Sequence, residues 1–254
     1  MKRVKTGING LDQMLGGGFL TETANLVEGA PGTGKTTLGM QFIYNGISMF
    51  NEPGLIITFE EFPQQYYHDA ASFGWDFVKL EKEGLLKVIM TSPEVSKLDL
   101  ESVGGMIETH IAQMGARRVV VDSMTHFERL SQDPVELREL EYSFINALKR
   151  EGVTSLLTRE SSALLGEAPE GDGSIGFVVD SYVLLRYVEI ESAIRKALLV
   201  LKMRGSDHAK DIQQYEITAD GIELRSKFEG QEGIMSGNPR RSMADAFSEA
   251  FVRR

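Results

Sequence analysis

One stretch near the amino terminus constrains this chain more than anything else in it. Gly29-Ala30-Pro31-Gly32-Thr33-Gly34-Lys35-Thr36 is G-x-x-x-x-G-K-T. Leu26-Val27-Glu28 leads into it as a short strand. Residues 36–50 follow with helical spacing, apolar at Leu38, Phe42, Ile43 and Ile47. Strand before and helix after is the context in which this pattern makes a phosphate-binding loop. The residue types follow from the chemistry. Glycines let the backbone curl and aim its N–H groups at an anion, and the positive end of the next helix faces the same charge. Lys35 is placed to reach the β- and γ-phosphates of ATP, and the Thr36 hydroxyl to ligate Mg²⁺. Gly29 through Thr36, with Thr37 next on the helix, are the candidate nucleotide-binding residues. Chance would produce such a match in roughly one or two chains of this length in a hundred, and the flanking elements lower that further. The expectation is a P-loop ATPase that binds Mg·ATP and hydrolyses it.

Two further strands end in carboxylates. Leu55-Ile56-Ile57-Thr58-Phe59 is nearly all apolar, as a parallel strand buried on both faces requires, and it ends at Glu60-Glu61. Phe62-Pro63 and a predicted helix over 64–73 follow. Ligands of open parallel sheets bind outside the carboxyl ends of the strands. A carboxylate there can orient or deprotonate the water that attacks a γ-phosphate. Adjacent glutamates usually form a solvated acidic turn. Beside a phosphate loop the catalytic reading prevails, and which of the two acts stays open. Arg117-Arg118-Val119-Val120-Val121-Asp122-Ser123 is the second such strand. Asp122 is its candidate Mg²⁺ residue, opposite Thr36.

Asp133-Pro134-Val135-Glu136 opens a helix with a cap, a proline in the first turn and a glutamate three residues on. Leu137, Leu140, Phe144 and Leu148 form its buried stripe, and Gly152 ends it. Residues 153–158 form another strand. Thr158 at its end is either a γ-phosphate sensor or a structural threonine, and pattern alone favours the latter. Strand and helix alternate over 26–158, which predicts a doubly wound parallel sheet. Strands 182–187 and 197–202, joined by a charged loop, and strand 214–218 with a turn at Asp220-Gly221, are expected to extend it antiparallel at one edge. The expected fold class is therefore α/β, a mostly parallel central sheet flanked by helices with antiparallel strands at one edge. One ATPase domain covers 1–225, followed by a flexible or partner-docking tail, 226–254. Lys202 and Arg204, two apart on a strand, project to the same side. They read either as a clamp on a γ-phosphate or as a solvated pair, and the spacing by itself favours the second.

Composition narrows the partners. Twenty-seven basic against 37 acidic residues leave a net charge of −10, which argues against a duplex-binding surface. Loop 159–175 carries one basic residue, Arg159, against Glu160, Glu167, Glu170 and Asp172, the wrong sign for a DNA-binding pore. The absence of cysteine excludes disulfides and thiolate chemistry. The charged start Met1-Lys2-Arg3-Val4-Lys5 lacks a signal peptide's apolar core, and no apolar run reaches the roughly 18 residues of a membrane span. A cytoplasmic protein without membrane contact is expected. His68, His110, His126 and His208 are scattered without ligand spacing, so no metal beyond Mg²⁺ is expected. Ala246, Phe247, Ala250 and Phe251 would line one face of a short helix in the tail, against the commoner reading of a frayed terminus.

In combination the motifs are recognisable. Thr6-Gly7-Ile8-Asn9-Gly10-Leu11-Asp12 with Leu15-Gly16-Gly17-Gly18 looks like the lead-in to a RecA-superfamily ATPase domain. Phe59-Glu60-Glu61, Ser72-Phe73-Gly74-Trp75-Asp76, Arg117-Arg118 before Asp122-Ser123, and Lys202-Met203-Arg204-Gly205-Ser206 with His208 narrow it. Together they resemble one half of the KaiC ATPases over residues 4–225, continuing faintly at Ser236-Gly237-Asn238-Pro239. The resemblance implies a RecA-like fold and a hexameric ring of identical subunits with ATP between them. It also implies Glu60 and Glu61 as the catalytic pair, and Lys202 and Arg204 as cations reaching the neighbouring subunit's phosphates, which overtakes the solvated-pair reading. A regulatory protein partner is expected, and DNA is not. KaiC carries two such domains in tandem and this sequence has one, so a two-ring clock mechanism is not expected. The family's autophosphorylated Ser-Thr pair falls on Gly176 and Phe177, neither of which carries a hydroxyl. Autokinase activity is therefore not expected, unless Ser174 substitutes or the register slips by two. The alternatives are a recombinase-like or helicase-loader ATPase acting on DNA, and an ATP-dependent scaffold with little turnover, resembling that of an archaellum-type motor.

Overall fold

Short aliphatic runs separated by glycine- and proline-bearing turns build a single nine-stranded sheet in the computed structural model, which describes residues 2–102, 104–161, 174–228, 231–234 and 240–241. Strands β1 (Arg3–Val4) and β2 (Phe19–Leu20) form a small ribbon around the single turn α1 (Leu11–Met14). β3 (Ala24–Gly29) enters the glycine loop and α2 (Lys35–Phe50) leaves it. Next come β4 (Gly54–Thr58), α3 (Pro63–Ser72), α4 (Phe77–Lys82), β5 (Leu86–Met90), α5 (Pro93–Glu101), α6 (Met106–Met114) and β6 (Arg118–Asp122). A 3-10 turn (Met124–Arg129), α7 (Pro134–Arg150), β7 (Thr154–Glu160) and α8 (Ser174–Val178) lead to β8 (Ser181–Ile190), β9 (Ala193–Met203), β10 (Gln213–Thr218) and β11 (Gly221–Lys227). β12 (Gln231–Glu232) and β13 (Arg240–Arg241) pair with each other.

The strand order is β11-β10-β9-β8-β3-β7-β6-β4-β5. The six strands from β8 to β5 are parallel, and β9, β10 and β11 continue antiparallel. This is the RecA-like P-loop architecture expected, with one correction. Strand 182–187, assigned to the antiparallel edge from its sequence, is longer and belongs to both regimes. β8 pairs parallel with β3 on one side and antiparallel with β9 on the other. The connections explain this. A crossover containing α8 separates β7 from β8, which permits parallel entry. Only Glu191-Ser192 separates β8 from β9, both at positive φ (51° and 60°), the signature of a tight hairpin turn. The charged loop expected there is mostly strand.

Alternation along each buried strand divides the core between the two faces of the sheet. Val27, Ile56, Val120 and Leu156 pack on the face that carries α2, against Leu38 and Phe42. Their neighbours Leu26, Leu55, Ile57, Val119, Val121 and Leu157 point the other way, among Ile107, Phe144 and Leu148. Each such side chain stabilises by about 1.5–3 kcal/mol, so a polar substitution on either face of these strands is costly. Arg118 is the exception that is tolerated. Its fully buried guanidinium donates to Glu52 (2.8 Å from Nε) and to the Phe42 carbonyl (2.9 Å). Asp133 caps α7 by accepting from the Val135 N–H at 2.9 Å, and Gly152 beyond its end takes a φ of 68°, as read from the sequence.

Packing in this way brings the carboxyl ends of β3, β4, β6 and β7 to one edge, beside the amino terminus of α2. Of the loop expected over 159–175, Arg159 and Glu160 instead end β7, Ser174 and Ile175 open α8, and residues 162–173 lie outside the described residues, as does most of the tail with Ala246, Phe247, Ala250 and Phe251. No described helix is long and apolar enough to cross a membrane.

Candidate active site

A cavity of about 330 Å³ opens at that edge, between the glycine loop and the ends of β4, β6 and β7. The loop's shape depends on its glycines. Gly34 adopts φ 98° at the helix start, with Ile217 only 2.8 Å from where a Cβ would stand. A Cβ on Gly29 would meet the Leu185 carbonyl at 2.7 Å. The Thr33 hydroxyl donates to the Ala30 carbonyl at 2.7 Å, closing the turn. Two tyrosines hold the loop from the antiparallel side of the sheet. The Tyr215 hydroxyl donates to the Thr33 carbonyl at 2.6 Å and the Tyr187 hydroxyl to that of Pro31 at 3.2 Å. Lys35 is buried, with its ammonium 3.2 Å from the Ala30 carbonyl and 3.9 Å from Glu160. Burial holds its pKa below the usual lysine value, against the opposing pull of Glu160, Asp122 and Glu28. A buried cation partnered by one distant carboxylate suits an incoming anion.

Asp122 ends β6 and collects three hydroxyls. Thr36 and Tyr66 each donate to Oδ2 at 2.7 Å, and Thr158 donates to Oδ1. β7 lies between β3 and β6, so Thr158 bridges the strand that feeds the loop and the strand that carries the aspartate. It is fully buried, which favours its structural reading. Burial, then the neighbouring Asp122 charge, pushes the Tyr66 phenol far above its ordinary pKa, so it stays a donor.

Glu60 and Glu61 follow β4 and line the same cavity. The Thr58 hydroxyl oxygen accepts from the Glu61 N–H at 3.1 Å, shaping the turn that presents them. Glu60 Oε2 lies 3.2 Å from His126 Nε2, and the other ring nitrogen, Nδ1, lies 2.7 Å from the Arg129 guanidinium. The Glu61 carboxyl is held above the usual glutamate range by partial burial first, then by Asp122, Asp69 and Glu60.

Lys202 and Arg204 are elsewhere. Met203 of β9 stands opposite Ser181, while Gly29 stands opposite Leu185 on the same strand β8. The pair therefore sits about 13 Å down the sheet from the loop, at four residues of about 3.3 Å each, on the opposite edge. Lys202 donates to the carbonyls of Gly176 (2.9 Å) and Val179 (2.8 Å), and Arg204 to that of Phe177. Sequence reasoning brought Lys35, Thr36, Asp122, Glu60 and Glu61 to one cavity. It missed Tyr66, His126, Arg129, Tyr187, Tyr215 and Glu160. Only His126 and Arg129 left a signal, a histidine and an arginine three apart, four and seven residues beyond a strand-terminal aspartate.

A family model described as "ATPase: KaiC" matches residues 4–229. The chain belongs to the KaiC ATPase family. It is 37% identical to the circadian clock oscillator protein KaiC of Nostoc sp., over 99% of this chain and 48% of that protein. Circadian clock protein KaiC3 of Synechocystis sp. is 37% identical over 93% of this chain and 46% of its own length. KaiC of Thermostichus vulcanus is 36% identical over 97% and 47% respectively. The chain thus spans about half the length of the curated relatives it matches. In a KaiC-family ATPase, the cavity beside Lys35 and Thr36 is where nucleotide binding is expected, at the edge where the fold concentrates its donors.

Proposed function

We propose that this KaiC-family chain hydrolyses Mg·ATP between the subunits of a homohexameric ring, and that turnover drives a conformational change read by a regulatory partner. The observation that carries this reading is the convergence of the loop cation Lys35, the Thr36–Asp122 pair and the Glu60-Glu61 turn on one cavity. Residues Gly29 to Thr37 cradle the phosphates of ATP. Mg²⁺ fits the hard oxygens of Thr36 and Asp122, 2.7 Å apart, and bound there it would neutralise charge on the β- and γ-phosphates. Lys35 exchanges the Ala30 carbonyl and Glu160 for phosphate oxygens. A glutamate of the 60–61 pair orients a water and takes its proton as the new O–P bond forms and the bond to the β-phosphate oxygen breaks. Lys202 and Arg204, too far from their own loop, serve the loop of the adjacent copy, where they balance charge on the transferring group.

The net charge of −10 stands against a DNA-acting ATPase. Gly176 and Phe177 stand against autophosphorylation at the family's positions. The test is phosphate release from Mg·ATP by the wild type, Glu60→Gln, Glu61→Gln and Arg204→Ala, with sizing of each in ATP. Turnover in the wild type, a loss of about a hundredfold or more in a glutamate variant, and loss in Arg204→Ala with rings intact would support the reading. Tight ATP binding without turnover would replace it with a scaffold, and stimulation by single-stranded DNA with a recombinase-like ATPase.

A further inference from the structure

We propose that His126, fixed in one tautomer by Arg129, is a positioning residue for Glu60, and that Glu60 rather than Glu61 is the glutamate presented to the attacking water. The proposal rests on the hydrolytic reading above and names the member of the acidic pair that carries it.

The local fold sets up the arrangement. Immediately after Asp122-Ser123 the chain turns into the 3-10 segment Met124–Arg129. Side chains three apart on such a helix eclipse, which stacks Arg129 over His126 and brings its guanidinium to 2.7 Å from Nδ1. A guanidinium has donors only. Nδ1 must therefore be the bare, accepting nitrogen, and the neutral ring carries its hydrogen on Nε2. That N–H points at Glu60 Oε2, 3.2 Å away, and an ionised carboxylate is an acceptor only. Arg129 donates to His126 and His126 donates to Glu60, with one direction throughout.

The ring is held on its remaining sides as well. His126 is 8% exposed and meets Phe59 edge-on, with centroids 6.3 Å apart and planes at 72°. Phe59 packs in turn on Phe127. Phe59 directly precedes Glu60, so backbone and carboxylate are both registered against the 3-10 segment. The Glu60 side chain is 75% exposed, and a glutamate so exposed would otherwise sample many rotamers. Its hydrogen bond uses one carboxylate oxygen, Oε2, and leaves Oε1 to accept from a water. Among the described residues, the Glu61 carboxylate accepts no hydrogen bond that would orient it in the same way. A base held by an orienting group, lining the same cavity as Lys35 and Thr36, is the geometry that general-base chemistry calls for.

The test is steady-state and single-turnover hydrolysis of Mg·ATP by the full chain, comparing His126→Leu, His126→Gln, Arg129→Met, Glu60→Gln and the double variant His126→Leu/Glu60→Gln. Thermal melts confirm that each is folded. Leucine at 126 should lower kcat on the order of tenfold, the scale of a modest misplacement of a catalytic group, with the KM for ATP unchanged. Glutamine places an amide N–H where Nε2–H stood and should recover most of the rate. Methionine at 129 frees the tautomer and should fall between the two. On the Glu60→Gln background, His126→Leu should cost nothing more, because both act through one carboxylate. His126→Gln as slow as His126→Leu, losses that multiply in the double variant, a change confined to KM, or abolition by Glu61→Gln but not by Glu60→Gln would each overturn the proposal while leaving hydrolysis intact. Full turnover in Glu60→Gln would likewise overturn the proposal, whereas ATP binding without phosphate release by the wild type would defeat the hydrolytic reading itself.

Discussion

At the scale of single residues, Asp122 governs the site. Three hydroxyls converge on its carboxylate, and two of them, from Thr36 and Tyr66, share one oxygen. A buried hydrogen bond to a charged group stabilises by about 1.5–3 kcal/mol. Tyr66→Phe keeps the ring and removes one such bond, so urea unfolding of the nucleotide-free protein should show a loss of that size. Glu61 makes a prediction with the opposite sign. Its pKa is raised in the folded chain, mainly by burial. Folding then favours its protonated form, a contribution fully present below the ordinary value of 4.5 and lost as pH rises through the folded pKa. At neutral pH the charged group weakens the fold, so Glu61→Gln should raise the melting temperature there and leave it unchanged well below pH 4.5. Lys35, Thr36, Asp122 and the two glutamates were legible in the sequence because each sits at a strand end or on the glycine loop, where position along the chain already implies position in space. Tyr66 and the pairing of His126 with Glu60 were not, because the partners are 56 and 66 residues apart in the chain and only tertiary packing joins them.

At the scale of elements, the parallel strands were readable for the reason that they are buried on both faces. β4 and β6 carry the apolar runs Leu55-Ile56-Ile57 and Val119-Val120-Val121 at their centres, β-branched stretches too short for a helix and suited to a strand buried on both faces. β5 escaped notice because it is the edge strand. Among the described residues its one strand neighbour is β4; Leu86, Val88 and Ile89 are buried, but Lys87 interrupts the apolar run to pair with Glu81 and Met90 is exposed. The short helices α5 and α6 offer too few turns for a clear stripe. The direction of β8 was beyond sequence for another reason, since its parallel pairing is decided by β3, about 155 residues earlier in the chain. The β8–β9 hairpin also has a testable weakness. Ser192 sits at φ 60°, a conformation that costs an L-residue about 1–2 kcal/mol. Ser192→Gly should therefore raise the melting temperature by about 2–4 °C for each kcal/mol relieved, with ATP turnover unaffected because the turn lies outside the cavity.

At the scale of the whole molecule, the sheet separates two sets of groups that phosphoryl transfer would use together. The loop, the aspartate and the glutamates occupy the carboxyl edge of the parallel strands. Lys202 and Arg204 occupy the amino edge, tethered to the carbonyls of Gly176, Val179 and Phe177. On the proposed reading each copy would offer a base at one end and cations at the other, the pattern of a head-to-tail interface. Inactive variants should then rescue one another. Glu60→Gln/Glu61→Gln subunits still offer intact cations, and Arg204→Ala subunits still offer an intact base. Mixed in equal amounts, they would assort so that roughly one interface in four pairs the sound half of each. Phosphate release should rise from near zero to about that fraction of the wild-type rate. If the mixture stays silent, the cations serve something other than a neighbour's ATP.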